Sequence, residues 1–204
     1  MKHQTTLIVR GGGDLASGVI HRLYKCGYQV LVLECAKPSA IRRRVSFGEA
    51  VYDGTSRVEG VTGRLIKDIS ECRKVWDEKE IPILVDENAD AVSELKPDAL
   101  IDAILAKKNL GTTRMMAPLT IGLGPGFTAR VDVDYVVETQ RGHNLARVIE
   151  KGTAAPNTGI PGMIAGYGKE RVIHSPAAGM IHNYSEIGDI VEKDQIIAMV
   201  DETP

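Results

Sequence analysis

The stretch LIVRGGGDLASG, residues 7–18, decides the fold. An apolar run typical of a strand ends in three glycines, and small residues then begin a pattern with helical spacing. From Asp14 to Cys26 the apolar residues recur in steps of four, four and three, which gives a helix one apolar face. Gly27 is a natural helix terminator, and YQVLVLE, residues 28–34, predicts a second strand covered on both faces. The stretch therefore predicts a βαβ unit of roughly thirty residues.

Composition and charge narrow the class of protein. Of the 204 residues, 43% are hydrophobic and 25% charged, which is ordinary for a soluble globular protein. A formal net charge of -2 gives no general attraction to nucleic acid or to an anionic membrane, and 4% aromatic residues are too few for base stacking. The N-terminus lacks the apolar run of a signal peptide, and no window reaches the length of a membrane span. We therefore expect a cytoplasmic protein that binds neither nucleic acid nor membrane.

Cysteine usage indicates neither a zinc site nor a disulfide framework. Cys26, Cys35 and Cys72 are odd in number and form no C-x-x-C pair. We expect buried free thiols in a reducing compartment. A reactive thiol at Cys35, which follows Glu34 at a predicted strand end, is the alternative.

The rest of the chain predicts an α/β fold: a Rossmann-like, mostly parallel sheet, then a β-rich segment, then a partial barrel-sandwich tail. We place the domains at 1–106, 107–170 and 171–204, the second completing the ligand crevice. Asp68 and Glu71 form a predicted capping box. The further predicted elements are a basic helical turn at 42–44, a short strand around 50–52, a strand or turn at 58–66, a helix at 69–79, a strand at 81–86, a short helix at 89–95, a strand at 98–105 and a long loop at 153–170.

The three glycines suggest a phosphate-binding loop. Gly11, Gly13 and Gly18 nearly follow G-x-G-x-x-G, with Ala16 where the motif allows glycine or alanine. Glu34 lies 21 residues beyond Gly13, close to the spacing of the acid that accepts from a ribose hydroxyl. We expect bare N–H groups of Gly11, Gly12 and Gly13, together with the helix dipole, to face an anion. The alternative is a structural turn capped by Asp14.

Other loops offer candidate anion contacts, each with a plainer interpretation as solvated surface or a tight turn. Glycines in LTIGLGPGF form a second strand-to-glycine junction, and a basic loop follows the strand that contains Asp102. The cofactor-binding candidates outside the first loop are Arg42 within the run Arg42–Arg44, Lys107, Lys108, Gly124, Gly126, Arg141 and His143. We assign no catalytic residue and no metal ligand, because no known nucleophile, zinc or Walker motif is present.

The tail, residues 175–202, resembles half of a biotinyl/lipoyl-like barrel-sandwich fold. Carriers of this kind have a modifiable lysine at the next hairpin, whereas this region ends in Asp201, Glu202, Thr203 and Pro204. Half a barrel also leaves unpaired strand edges. We expect a truncated, non-carrier tail with a structural or partner-binding role.

Six motifs together resemble the YqeB family, accessory proteins of selenium-dependent molybdenum hydroxylase systems. The resemblance covers nearly the whole chain and extends distantly to XdhC/CoxI-type factors that insert or sulfurate the molybdenum cofactor. Members tend to have glycine where this chain has Arg130 and Ala146. The motifs are GGGDLASGVIHRL, AIRRRVSFGEAVYDG, AKKNLGT, APLTIGLGPGF, VETQRGHNLARVIEKGTAAPNTGIPG and ERVIHSPAAG.

This resemblance implies a factor that matures a molybdenum hydroxylase. Its partners would be the hydroxylase apoenzyme and a small phosphate-bearing ligand, either a nucleotide of NAD(P) type or the molybdopterin cofactor. Self-association is left open. The alternatives are an NAD(P)-dependent oxidoreductase and a non-enzymatic scaffold that docks the hydroxylase through its β tail.

Overall fold

The computed structural model describes residues 4–159 and 163–203, and the chain divides into two compact units. The first unit runs to Asn157 and the second begins at Thr158. Residues 160–162 of the predicted loop 153–170 lie outside the described residues, as does Pro204 of the predicted tail domain.

The first unit is built on a nine-stranded mixed sheet within the described residues. Its strands are β1 Thr6–Arg10, β2 Gln29–Glu34, β3 Thr55–Val58, β4 Val61–Ile66, β5 Ile81–Val85, β6 Ala99–Asp102, β7 Thr120–Leu123, β9 Tyr135–Val137 and β10 Val148–Ile149. Their order is β10-β9-β7-β6-β1-β2-β5-β4-β3, in which the seven inner strands are parallel and the two edge strands antiparallel. The α/β class is therefore confirmed.

The βαβ unit predicted from residues 7–34 is confirmed. The helix α1, Asp14–Lys25, joins β1 to β2, and the two strands pair in parallel from Thr6 opposite Gln29 to Arg10 opposite Leu33. Gly27 has φ +89, in the left-handed region, and its N–H donates to the Tyr24 carbonyl. This left-handed conformation and hydrogen bond confirm Gly27 as the terminator of α1 that the sequence predicts.

The shorter helices are α2 Ala50–Asp53, α3 Cys72–Asp77 and α4 Ala91–Leu95, with 3-10 turns at Arg43–Val45, Phe47–Glu49 and Ile69–Glu71. The capping box of Asp68 and Glu71 is present as predicted. The strand expected around residues 50–52 is wrong, because that segment is the single helical turn α2. Such a turn is too short for its periodicity to appear in the sequence.

Two apolar layers cover the two faces of the sheet. One layer contains Val9, Val32 and Ile83 with Ile20 of α1 and the fully buried Phe47. The other contains strand residues of opposite orientation, such as Ile8 and Leu31, packed with Cys72 and Val75 of α3 and with Ala91 and Val92 of α4. Successive side chains of β1 therefore point alternately into the two apolar layers, as expected for a buried parallel strand.

Residues 107–157 continue the same sheet through β7, β9 and β10. A two-stranded sheet of β8, Thr128–Ala129, and β11, Gly152–Thr153, lies beside a small core that includes Phe127, Val133 and Val136. Residues 107–157 therefore belong to the first compact unit. The domain boundaries predicted at 106/107 and 170/171 stay predictions.

The second unit contains an antiparallel pair, β12 Ile181–Asn183 and β13 Ala198–Val200. Most of its described residues are exposed, including Ile190 at 98%, whereas Val200 is buried. The half barrel-sandwich remains a prediction for this segment. Across both units, the described chain has no helix with the length and apolar character needed to cross a bilayer.

Candidate functional site

The order of strands in the sheet reverses between β1 and β6. From β1 the chain moves to β2 and onward to one side, and it returns at β6 before adding β7 and β9 on the other side. Ligands of open α/β sheets bind at such a reversal, outside the carboxyl ends of the strands. The glycine loop after β1 lies at this place, and the backbone of Ile104 after β6 packs against Gly11.

The amides of Gly11 and Gly12 do not face a ligand. The Gly11 N–H donates to the Leu33 carbonyl at 2.7 Å, and the Gly12 N–H donates to Oε1 of Glu34 at 2.7 Å. The expectation that these two amides bind an anion therefore does not match the geometry. Both are engaged by the end of β2, and we call Gly11 and Gly12 the closed end of the loop.

The closed end needs glycine for close backbone packing. Gly11 has φ +93, and a Cβ there would lie 2.9 Å from the backbone Cα of Ile104. A Cβ at Gly12 would lie 2.8 Å from the Gly48 nitrogen. A Cβ at Gly13, in contrast, would meet no atom within 4 Å, and its φ of -64 suits any residue.

The open end of the loop comprises Gly13, Asp14 and Leu15, at the start of α1. Ala16 follows them but is fully buried in the core on this face of the sheet. Gly13 is the N-cap residue, and no side chain caps the helix. Within the described residues, no hydrogen bond engages the N–H groups of Gly13, Asp14, Leu15 and Ala16. First-turn amides of a helix, with the positive end of its dipole, favour an anion at this position.

The arginine run lies beside this open end and is partly neutralised. Arg42 forms an ion pair with Asp14 of α1, and Arg43 forms one with Glu49. Arg44 is exposed. The Arg42 pair offsets the negative charge that the Asp14 carboxylate brings to the start of α1.

The basic loop after β6 is held in a fixed turn. The Asn109 amide donates to the Thr112 carbonyl, and the Thr112 N–H donates to the Asn109 side chain, both at 2.8 Å. Lys107 and Lys108 are exposed on this loop. The turn therefore fixes the backbone of the loop while both ammonium groups face solvent.

A buried polar cluster beneath these loops was missed by the sequence analysis. Arg10 is 2% exposed, Asp102 1% and Thr112 0%. The Thr112 hydroxyl lies 2.6 Å from Nη1 of Arg10 and 2.6 Å from Oδ2 of Asp102, so it bridges the two charges. Arg10 also donates to the carbonyls of Glu87 and Leu110. The signal in the sequence was a charge at the end of each of two apolar strands.

The second glycine loop is brought against the basic loop, and its glycines serve packing. A Cβ at Gly126, where φ is +115, would lie 2.7 Å from Lys108 Cα. A Cβ at Gly124 would lie 2.6 Å from Oγ1 of Thr139. These two candidates therefore join loops to one another, as Gly11 does.

Arg141 and His143 are exposed on the loop that follows β9. Glu138, just before that loop, is 6% exposed and accepts from the N–H groups of Ala155 at 2.8 Å and Gln140 at 2.7 Å. Burial raises the pKa of Glu138, but these backbone donors outweigh burial and hold the pKa below its ordinary value. Glu138 is thus a structural carboxylate that fixes the base of the loop.

The three cysteines are free, but the expectation that they are buried is correct for Cys72 alone, since Cys26 is exposed and Cys35 is half-buried. Burial, with nearby Asp68 and Glu71, raises the pKa of Cys72 to about 12. Burial and Glu34 also raise the pKa of Cys35, which disfavours a nucleophilic thiolate. Among the described residues, no group of three or more histidine, cysteine or acidic side chains is placed to hold a metal ion.

Sequence comparison identifies a relative of this chain. The chain is 49% identical over 196 residues to the Escherichia coli (strain K12) protein named "Uncharacterized protein YqeB". The chain is homologous to YqeB. The match covers 96% of this chain but 36% of that protein, so the chain spans about a third of the length of this relative. No family model and no solved structure matches the chain.

Proposed function

We propose that the first unit binds a small phosphate-bearing ligand and serves as an accessory factor that matures a selenium-dependent molybdenum hydroxylase. The observation that carries the ligand-binding part is the uncapped start of α1 at the reversal of strand order. Four consecutive backbone N–H groups there have no acceptor within the described residues. That arrangement supports an anion rather than a cation or an apolar group.

The charges around the open end support the same ligand class. Arg42 is paired with Asp14 beside these amides, and Lys107 and Lys108 are exposed on the neighbouring basic loop. A phosphate needs several donors, which the amides offer, and compensating positive charge. Because Arg42 is already paired with Asp14, that charge comes from Lys107 and Lys108. Molybdopterin and nucleotides share such a phosphate-bearing end.

The hydroxylase part of the proposal rests on the family resemblance of the six motifs. The 49% identity to the uncharacterized YqeB supports homology to that protein and carries no role of its own. The residues fit a cofactor-handling role through the phosphate end of the cofactor. The first unit would then hold the molybdenum cofactor, or a nucleotide used in its maturation, before the hydroxylase receives it.

Ligand binding is tested by thermal unfolding in the presence of NAD, NADP, ATP, CTP and molybdenum cofactor. A ligand at a hundred times its Kd adds about 2.7 kcal/mol of stability. Asp14→Pro is the informative variant, because proline suits the first position of a helix and removes one free N–H. We expect Asp14→Pro to weaken binding at least tenfold.

Asp14→Ala is the matched control. It removes the carboxylate but keeps the N–H, so it retains or strengthens binding of an anion. Absence of a shift with every ligand, in a chain that melts cooperatively, contradicts the ligand-binding proposal. Equal weakening by Asp14→Ala and Asp14→Pro contradicts the role of the amide.

The maturation role is tested by adding the purified chain to a molybdenum hydroxylase apoenzyme and measuring hydroxylase activity. Gly13→Leu is the variant to compare, because a Cβ at Gly13 would meet no atom within 4 Å and the φ of -64 suits any residue. We expect the fold to accept the leucine and its side chain to obstruct access to the neighbouring amides. We expect activation by the natural chain and loss of activation with Gly13→Leu. Full activation without the chain contradicts the proposal.

A further inference from the structure

The end of β2 is filled by the chain itself at the position where a dinucleotide places its adenosine ribose. In dinucleotide-binding sheets, an acid at this strand end accepts from ribose hydroxyls. Here Oε1 of Glu34 accepts from the Gly12 N–H and Oε2 accepts from the Cys35 N–H, each at 2.7 Å. The carboxylate is therefore engaged within the loop that it follows.

The residues Ser46–Glu49, which we call the 46–49 turn, occupy the adjoining space. The Gly48 N–H donates to the Gly12 carbonyl at 2.8 Å. A Cβ on Gly48 would lie 3.1 Å from Oε1 of Glu34 and 3.3 Å from the Gly12 oxygen. Gly48 thus touches both partners, and no ribose fits between Gly12 and the Glu34 carboxylate.

The 46–49 turn is fixed by buried contacts rather than lying loosely over the loop. Phe47 is fully buried in the core on the α1 face, and its N–H donates to the Ser17 hydroxyl at 2.8 Å. Ser17 in turn donates to the Gly12 carbonyl at 3.0 Å, and the Ser56 hydroxyl donates to the Phe47 carbonyl at 2.9 Å. Displacing the turn would expose Phe47 and break these hydrogen bonds.

We infer that Glu34 and the 46–49 turn are specificity determinants that exclude dinucleotides, so the ligand has a single phosphate-bearing end and no ribose at β2. This inference rests on the proposed function for the identity of the site, and it narrows the ligand class. The ligand extends from the open end of the loop away from β2. The NAD(P)-dependent oxidoreductase considered from the sequence is disfavoured on the same geometry.

The experiment follows backbone amides of the full chain by NMR, with hydrogen exchange and titration of NAD or inorganic pyrophosphate. We expect the Gly12 and Gly48 amides to be protected from exchange at least a hundredfold relative to an unstructured amide. Neither signal should move with NAD. Signals of Asp14, Leu15 and Ala16 should move with pyrophosphate if the proposed function holds.

The two hypotheses fail in different ways. Rapid exchange of Gly12, or an NAD-dependent shift of Gly12 and Gly48, overturns the exclusion of dinucleotides whatever pyrophosphate does. A protected, unresponsive Gly12 with no pyrophosphate response at Asp14–Ala16 overturns the proposed function and leaves the exclusion supported.

Glu34→Ala supplies a second measurement, with Glu87→Ala as its matched control. Glu87 is also an acid just beyond a strand end, and it accepts from the Ala36 N–H rather than from the glycine loop. We expect Glu34→Ala to speed Gly12 exchange at least tenfold and Glu87→Ala to leave it unchanged. Unchanged exchange in folded Glu34→Ala overturns the role of Glu34.

Discussion

The closed and open ends of the glycine loop are adjacent in sequence but differ in packing and in hydrogen bonding. At the closed end, Gly11 and Gly12 are buried, and their amides are bonded to β2. At the open end, Gly13 has free space at its Cα, and the amides that follow have no acceptor within the described residues. A run of glycines thus combines two functions, since the first two glycines join loops and the third leaves access to a helix start.

We expect the largest loss of stability when the buried cluster of Arg10, Thr112 and Asp102 is broken. This cluster holds the basic loop next to the closed end. Arg10→Met removes the guanidinium and leaves Asp102 buried without its positive partner. Loss of one member of a buried pair costs about 3–5 kcal/mol. Urea unfolding measures this loss of unfolding free energy. Arg73→Met is the control, because the Arg73–Asp77 pair is exposed and contributes under about 1 kcal/mol. A cost below that of the control contradicts the anchoring role.

Gly11→Ala tests whether the closed end depends on glycine. The new Cβ would meet the Ile104 backbone, and alanine would also have to adopt φ +93. Overpacking and a left-handed backbone each cost about 1–3 kcal/mol, so we expect about 3 kcal/mol in total. Gly13→Ala adds neither cost and is expected to change stability by less than about 1 kcal/mol. Equal losses of unfolding free energy in Gly11→Ala and Gly13→Ala, measured by thermal or urea unfolding, would contradict the difference between the two ends.

Ser17→Ala tests the hydrogen bonds that hold the closed end against the 46–49 turn. The change leaves the buried Phe47 N–H without its acceptor. A buried donor without a partner costs about 1–3 kcal/mol. Ser93→Ala is the control, because the Ser93 hydroxyl is exposed and bonds to the Asp90 carbonyl. Equal melting temperatures for the two variants would contradict the role of Ser17 in holding the 46–49 turn against the closed end.

Ala146→Gly sharpens the comparison by isolating the conformational cost from the packing cost. Ala146 is exposed with φ +64, a conformation that favours glycine. Arg130 has φ +69, so the backbone is left-handed at this position as well. We expect Ala146→Gly to raise the free energy of unfolding by about 0.5–1 kcal/mol. A loss of stability in chemical denaturation would contradict this reason for glycine.

Much of the first unit was predictable because its elements have strong local patterns. The helix α1 shows one apolar face, and β2 and β5 are nearly continuous apolar runs. The two acids of the capping box before α3 have the three-residue spacing that this motif requires. The turn around Phe47 was not predictable, since its conformation is imposed by burial against α1 and by the Ser17 hydrogen bond.

The candidate site was only partly predictable, because the sequence gives the position of an amide but not its acceptor. Glycine spacing located the loop at the strand reversal, yet Glu34 turned out to bond to Gly12 rather than to remain free. Arg10 and Asp102 were missed because charged side chains are seldom buried. Their direct pairing across β1 and β6 depends on strand order, which the sequence does not state.

The two edge strands of the large sheet are short and antiparallel to their neighbours, with four residues in β3 and two in β10. Such short edge strands offer an incoming polypeptide few main-chain hydrogen bonds. Growth of the sheet by strand addition, and with it fibril-like association through the first unit, is therefore disfavoured. Recognition of another protein by this unit is left to its helical faces and its loops.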